Sequence, residues 1–267
     1  MIIDCHTHLS QREGHLEEII AQMDKLGVDK VVLFGGGQKN RLALNQKVLQ
    51  AAQKYPERFI PFAYAPLGEA YPKDIDQIAD AGFKGLKLIN PLSNYNDRAY
   101  WRIYERAEAR GLVCLFHTGI IARRDENRYE DIDTARMEVI YLDSIVRKFQ
   151  DMDVIMAHLG NPRYGDACMM LRWHPNLYSD LSGSTLKKKG AEFFKEMFWW
   201  KDSKTYNRDP LGRGPWEKIV YGSDVRPEEM GEVMEDYKNI MAAVGVEEEI
   251  QKKVFGETAA KILKISE

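Results

Sequence analysis

Only three of the 267 residues are cysteine, at positions 5, 114 and 168, and none belongs to a C-x-x-C pair. Widely spaced thiols in odd number exclude a disulfide framework and a structural zinc knuckle, and they fit a reducing cytoplasm. Long apolar runs are also missing. No stretch approaches the ~18 apolar residues of a membrane-spanning helix, and Asp4 with the adjacent histidines interrupts any signal-like segment. The expectation is a soluble protein, without membrane contact, that stays in the cytoplasm. Charge of one sign is not in excess either. Lys and Arg number 38 against 41 acids, a net charge of -3, so no general basic field exists to hold nucleic acid. The run Lys187-Lys188-Lys189 is the one cluster, and without interleaved aromatics it reads as a solvated helix start. Repeats and Pro/Gly-rich linkers are lacking as well, which leaves no boundary inside residues 1–267 and predicts a single domain.

What is present is a regular alternation. Short apolar, β-branched runs at 2–5, 30–34, 59–65, 85–89, 112–116, 154–157, 177–181 and 219–222 read as strands. Between and after them, apolar residues recur at three- and four-residue spacings over 13–26, 41–54, 73–81, 98–110, 134–149, 166–173, 191–200 and 228–244, the period of helices. Strand-helix units repeated in this way predict the α/β class and a (β/α)8 TIM barrel; a doubly wound open sheet is the competing arrangement. In such a barrel the chemistry sits where the strands end.

The residues at those ends are chemically distinctive. The first strand runs into His6-Thr7-His8, the fifth into His117, the sixth into His158 and the eighth into Asp224. Residues i and i+2 on a strand share a face, so His6 and His8 aim at one spot. Four of the six histidines and one acid thus gather at one end of the expected barrel. A catalytic divalent metal takes three or four nitrogen and oxygen ligands and keeps one position open for water. His6, His8 and His117 supply nitrogens, and Asp224 an oxygen. His158 remains for general acid-base work or for steadying an attacked oxygen, with a fourth imidazole ligand as the alternative.

Six stretches, in order along the chain, carry a family likeness: IDCHTH (3–8), FHTG (116–119), MAHLGNPRYGDA (156–167), HPNLYSDLSG (174–183), VYGSDVRP (220–227) and VFGETAAKIL (254–263). As a set they resemble the amidohydrolase superfamily, and within it the amidohydrolase-2 (amidohydrolase-related) branch of metal-dependent hydrolases and of decarboxylases similar to aminocarboxymuconate-semialdehyde decarboxylase. The resemblance implies a single divalent metal, expected to be zinc, on His6, His8, His117 and Asp224, with His158 as the catalytic histidine; in the hydrolysis expected of such a site, Asp224 or His158 takes the proton of the attacking water. Some relatives carry a carboxylated lysine at the end of the fourth strand. Here that strand is KGLKLINP, in which Leu86 and Leu88 face the helices and Lys87 points inward, toward an ion pair with Asp4 or Asp180 or toward carboxylation. Asn161 departs from the family, standing where a second glycine is common.

The loops after the strands carry Arg123, Arg124 and Arg128, then Arg163, then Arg226. Guanidinium groups capture carboxylates in two-pronged fashion, so Arg123, Arg163 and Arg226 are the expected substrate-binding residues for a small anionic substrate, against the alternative of surface pairing with nearby acids. Gly35-Gly36-Gly37 reads as a flexible turn, and His15 and His174 as structural. FFKEMFWWKD (193–202) fits a cap over the site, a homodimer contact or plain core. Together these readings predict a metal-dependent hydrolase cleaving an amide, ester or lactone; nonoxidative decarboxylation, a lyase reaction on the same site, is the alternative.

Overall fold

The protein is described as a computed structural model covering residues 1–35, 41–121, 123, 125, 128, 130–183 and 189–265. The lysines at 187 and 188, the glycines at 36 and 37, and Arg124 lie outside the described residues. Seven parallel strands form one sheet in sequential order: β1 (Ile3–Leu9), β2 (Lys30–Gly35), β3 (Phe59–Tyr64), β4 (Gly85–Leu88), β5 (Val113–Phe116), β6 (Val154–Met156) and β7 (Leu177–Ser179). Sequential parallel pairing follows from placing a crossover between successive strands. Among the described residues the α-helices are α1 (His15–Leu26), α2 (Arg41–Lys54), α3 (Pro72–Asp80), α4 (Trp101–Ala109), α5 (Leu142–Lys148), α6 (Tyr164–Trp173), α7 (Ala191–Met197), α8 (Met230–Ala243), α9 (Glu248–Lys252) and α10 (Thr258–Ile262).

Period-two alternation along the strands sorts side chains into two cores. Val31, Leu33, Ala63, Leu86, Leu88, Cys114 and Phe116 pack with helix residues such as Ile19, Met23, Ile103 and Tyr104. Cys5, Val32, Phe34, Phe62, Val113, Leu115 and Ile155 form the inner cluster, joined by Ala259, Ala260, Ile262 and Leu263 from the last helix and the residue after it. Lys87 lies between Leu86 and Leu88 and points inward, its Nζ 4.8 Å from the Phe34 ring centroid. Local signals set the helix ends: α1 stops at Gly27, whose φ of 69° and bond to the Met23 carbonyl form a left-handed cap. The apolar periodicity over 134–149 resolves into two 3₁₀ turns followed by the short α5, and the helices after 247 were not expected from it.

The eighth expected strand differs from the other seven. Residues 219–224 form only one ladder bridge, Ile219 with Ser179. They nevertheless bond to both sheet edges: Val220 N donates to the Ser179 carbonyl (2.9 Å), Cys5 N to the Tyr221 carbonyl (2.8 Å) and Asp224 N to the His6 carbonyl (2.7 Å). Tyr221 N is drawn instead to the Val254 carbonyl, and Gly222 N to the Tyr237 hydroxyl, which is why a regular ladder does not form. Gly222 sits where a Cβ would meet the Cβ atoms of Asp180 and His6 at 3.0 Å, so the missing side chain lets this segment lie against β1. We expect Gly222→Ala to destabilise the protein by about 1–3 kcal/mol through overpacking. Urea unfolding measures this, and an unchanged midpoint would show that the segment moves freely away from His6.

Candidate metal centre

His6 and His8 sit within β1, past a register shift between Asp4 and Thr7, and both rings reach the start of the 219–224 segment's last turn at Asp224. His8 Nε2 is 3.2 Å and His6 Nε2 is 3.5 Å from Asp224 Oδ1. Ligand atoms of His6, His8 and Asp224 all lie within 4.8 Å of one another, the spacing of a metal site. Proton bookkeeping supports the fit. His6 Nδ1 donates to Asp180 Oδ2 (2.7 Å) and His8 Nδ1 to the Gly35 carbonyl (3.3 Å), both pure acceptors, so each neutral ring turns an Nε2 lone pair toward Asp224. Two imidazole nitrogens and a carboxylate oxygen turned toward one spot are the kind of donor set that a divalent cation takes. The residues therefore fit a divalent metal, with one more nitrogen nearby: His117 Nε2 is buried and has no hydrogen-bond partner. His117 lies beside the three-residue group, its Nδ1 3.3 Å from His158 Nε2.

His158 stands on strained backbone. Its φ is 62° and that of Leu159 is 48°, left-handed values that non-glycine residues adopt only where the surroundings impose them. The constraint is Asp180, whose Oδ1 accepts from His158 N (2.8 Å) while its backbone carbonyl accepts from Leu159 N (3.0 Å). Asp224, with φ 48°, is held in the same way by its bond to the His6 carbonyl. The strain places His158 Nε2 3.6 Å from Asp224 Oδ2 and His158 Nδ1 2.8 Å from Ser182 Oγ. Lys87 Nζ is 3.0 Å from His6 Nε2. The expected ion pair with Asp4 or Asp180 is not formed: Asp180 is taken by His6, His158 and Ser182, and Asp4 Oδ1 by the backbone N–H groups of His6 and Ser223.

Burial pushes His6 down to about 4, with Lys87 adding to the effect and Asp224 and Asp180 opposing it. Burial, assisted by His158 and Lys87, also holds His117 well below the ordinary imidazole range. For Asp224 and Asp180 burial acts upward, yet the neighbouring imidazoles and hydrogen bonds win, leaving both well below the usual carboxylate range. Asp4 is the exception, pushed up to about 6 by burial. His6 and His117 are thus kept neutral on nitrogen and Asp224 ionised on oxygen, as metal binding requires.

The remaining sequence candidates fall elsewhere. Arg163 Nε is 3.1 Å from Glu138, and Arg226 pairs with Glu228 and Glu229 with 72% of its side chain exposed. Both guanidinium groups are turned to these carboxylates instead of to His6, His8 and Asp224. Arg123 is exposed. His15 accepts from Ser10 N, and His174 pairs with Asp143 at 2.8 Å, both in structural settings. Phe194 and Phe198 are core residues packed on Trp216, the buried Trp200 lies against Phe198, and Trp199 is half exposed against Tyr206. Lys189 lies over the Tyr164 and Phe193 rings. The residue that sequence reasoning missed is Ser182, two positions after Asp180 in the SDLSG stretch; no spacing rule marks a lone serine.

A parallel α/β fold with a histidine-carboxylate centre where strands end defines a metal-binding enzyme class. Comparison with protein families makes it specific. The chain matches Amidohydro_2, the amidohydrolase family, over residues 3–265, and it belongs to that family. No curated protein sequence matches it. Among solved structures, an uncharacterised TIM-barrel protein from Bordetella bronchiseptica is similar with a TM-score of 0.72 at 16% identity, covering 98% of each chain. A dihydroxybenzoic acid decarboxylase from Polaromonas, with bound manganese and the inhibitor 2-nitroresorcinol, gives 0.70 at 15% identity, covering 99% of this chain and 97% of the other. A probable 2-pyrone-4,6-dicarboxylic acid hydrolase from Acinetobacter baumannii, with citric acid bound, gives 0.70 at 16% identity and 99% coverage of both. Likeness at these identities is likeness of fold. No described helix is long and apolar enough to cross a membrane.

In the metal-free protein we expect the His6 ring to titrate near pH 4. The unfolded chain takes up that proton first, near 6.5, so this residue's contribution to stability is constant above 6.5 and declines as pH falls toward 4. Histidine ring NMR over pH 3–8 checks this; titration near 6.5 would mean that His6 is solvated.

Proposed function

We propose that this amidohydrolase is a metal-dependent hydrolase that cleaves an amide, ester or lactone bond in a small, carboxylated substrate. The observation that carries the reading is the double placement of Asp224: Oδ1 faces the His6 and His8 nitrogens, and Oδ2 faces His158 Nε2 at 3.6 Å. One carboxylate thus touches both the metal position and a proton-carrying histidine. A divalent cation held by His6, His8 and Asp224, with His117 as the further nitrogen, supplies Lewis acidity for a carbonyl oxygen and makes water acidic enough to attack near neutral pH. Asp224 accepts the proton that the attacking water gives up, and passes it to His158 Nε2, displacing the long His117 contact there. His158, then cationic, steadies the negative oxygen and returns the proton to the leaving group. We take zinc as the metal, residues 219–224 as the eighth member of a closed barrel, the chain as one domain, and the cytoplasm as its compartment.

A second reading, nonoxidative decarboxylation, draws on the likeness to the Polaromonas decarboxylase. There the bond to the carboxylate breaks, its electron pair stays on carbon, and a proton drawn from water through the Asp224–His158 pair is delivered to that carbon. Product analysis separates the two: cleavage of an ester, amide or lactone without carbon dioxide supports hydrolysis, and carbon dioxide release without such cleavage overturns it.

His158→Ala should lower kcat by about 10²–10⁴ while the metal stays bound. Elemental analysis alongside kinetics tests this, and unchanged turnover removes His158 from the mechanism. Of the three arginines expected to hold the anion, we propose Arg123 as the contributor, because Arg163 and Arg226 are engaged with Glu138 and with Glu228 and Glu229. Exposed pairs of that kind are worth about 0–1 kcal/mol, so Arg163→Ala and Arg226→Ala should leave KM within about fivefold. Arg123→Ala should raise it by more, and the opposite ranking would place the anion at the other loops.

A further inference from the structure

We propose that Ser182 is a positioning residue that fixes where the protons of His158 and His117 reside. It relays the acceptor character of Asp180, so that one buried carboxylate orders both halves of the centre.

Asp180 is fully buried, and as an ionised carboxylate it can only accept. Ser182, 1% exposed, has a single hydroxyl hydrogen, and its Oγ lies 2.6 Å from Asp180 Oδ1, to which it donates. Toward His158 Nδ1, 2.8 Å away, Ser182 Oγ is left only as an acceptor. The proton of neutral His158 is therefore on Nδ1, and Nε2 carries a lone pair. His117 Nδ1, 3.3 Å from that lone pair, must be the donor of that contact, and His117 Nε2 in turn carries its own lone pair. This is the buried nitrogen without a hydrogen-bond partner. On the other branch, Asp180 Oδ2 accepts from His6 Nδ1 at 2.7 Å and leaves a lone pair on His6 Nε2. Lys87 confirms that end: an ammonium can only donate, and its Nζ lies 3.0 Å from His6 Nε2. The turn is shaped for the relay. Gly183, with φ 75°, follows Ser182 where a Cβ would stand 3.2 Å from His158 Nδ1.

The chemical consequence deepens the hydrolase reading and rests on it for its kinetic meaning. His158 enters the cycle able to take a proton at Nε2, as water activation requires, and not to give one, as protonation of a carbanion requires. The proton order itself is independent of which reaction follows.

The test is histidine-labelled protein, with and without added zinc, measured by long-range ¹H–¹⁵N correlations that tell protonated from bare ring nitrogens. We expect wild-type His158 protonated at Nδ1 alone. In Ser182→Ala a population protonated at Nε2 appears, His6 is unchanged, and the zinc dissociation constant rises about tenfold or more, the usual effect of losing an outer hydrogen-bond partner. Ser182→Thr, which keeps the hydroxyl, restores both readouts. A wild-type His158 protonated at Nε2 overturns the proposal without any variant, as does a Ser182→Ala protein with unaltered tautomers. Zinc binding with the wrong tautomer would sink the relay and spare the metal site. The expected tautomer in a protein that takes up no zinc would uphold the relay and sink the metal reading.

Discussion

The carboxylate of Asp180 is the point on which the centre is built. It has no solvent exposure, and its acceptor capacity is shared among the ring of His6 on β1, the backbone N–H of His158 after β6, and the hydroxyl and N–H of Ser182 after β7. A buried carboxylate is costly unless it is hydrogen-bonded, and here the bonds that meet that cost also tie three strand ends together. The bends at His158 and Leu159 persist because these bonds hold them, and the bends in turn aim the His158 ring at Asp224.

Around that anchor, the sheet does what a parallel array of short strands does well. Its inward faces are filled by apolar side chains at the level of Val32, Phe62, Val113 and Ile155, and polar groups are admitted only near the strand ends. Lys87 marks the boundary, with its charge over the Phe34 ring and against His6 Nε2. On the far side Gly222 is required, since only a residue without a side chain lets the segment carrying Asp224 lie against Asp180 and His6. Backbone strain, a missing Cβ and a buried acid thus serve one geometric end, the meeting of β1 with residue 224.

Much of this was legible in the chain. The His6/His8 pair could be read because strand periodicity alone puts i and i+2 on one face, and the inward direction of Lys87 follows from the leucines on either side. The helix ending at Gly27 was equally plain, because a left-handed cap needs glycine. The arginines were less legible. Arg163 and Arg226 sit in loops that sequence places correctly, but whether a long side chain turns inward or pairs with Glu138, Glu228 or Glu229 depends on neighbours that spacing does not reveal. The irregular eighth segment escaped for a similar reason: Tyr221 and Gly222 have strand-like neighbours, and it is Val254 and Tyr237, distant in sequence, that take their hydrogen bonds.

By itself, then, the sequence determined the alternation of strands and helices, the faces on which His6, His8 and Lys87 lie, and the chemical types available for a metal. Those follow from local periodicity and from what a side chain is made of. Tertiary structure alone decided that Asp224 lies between the two β1 imidazoles and His158, and that Ser182 stands between Asp180 and His158. It also decided that His117 turns one nitrogen to His158 and leaves the other bare. These are contacts between segments dozens to hundreds of residues apart or across a turn held by such contacts, and no local rule fixes hydrogen-bond geometry at that range.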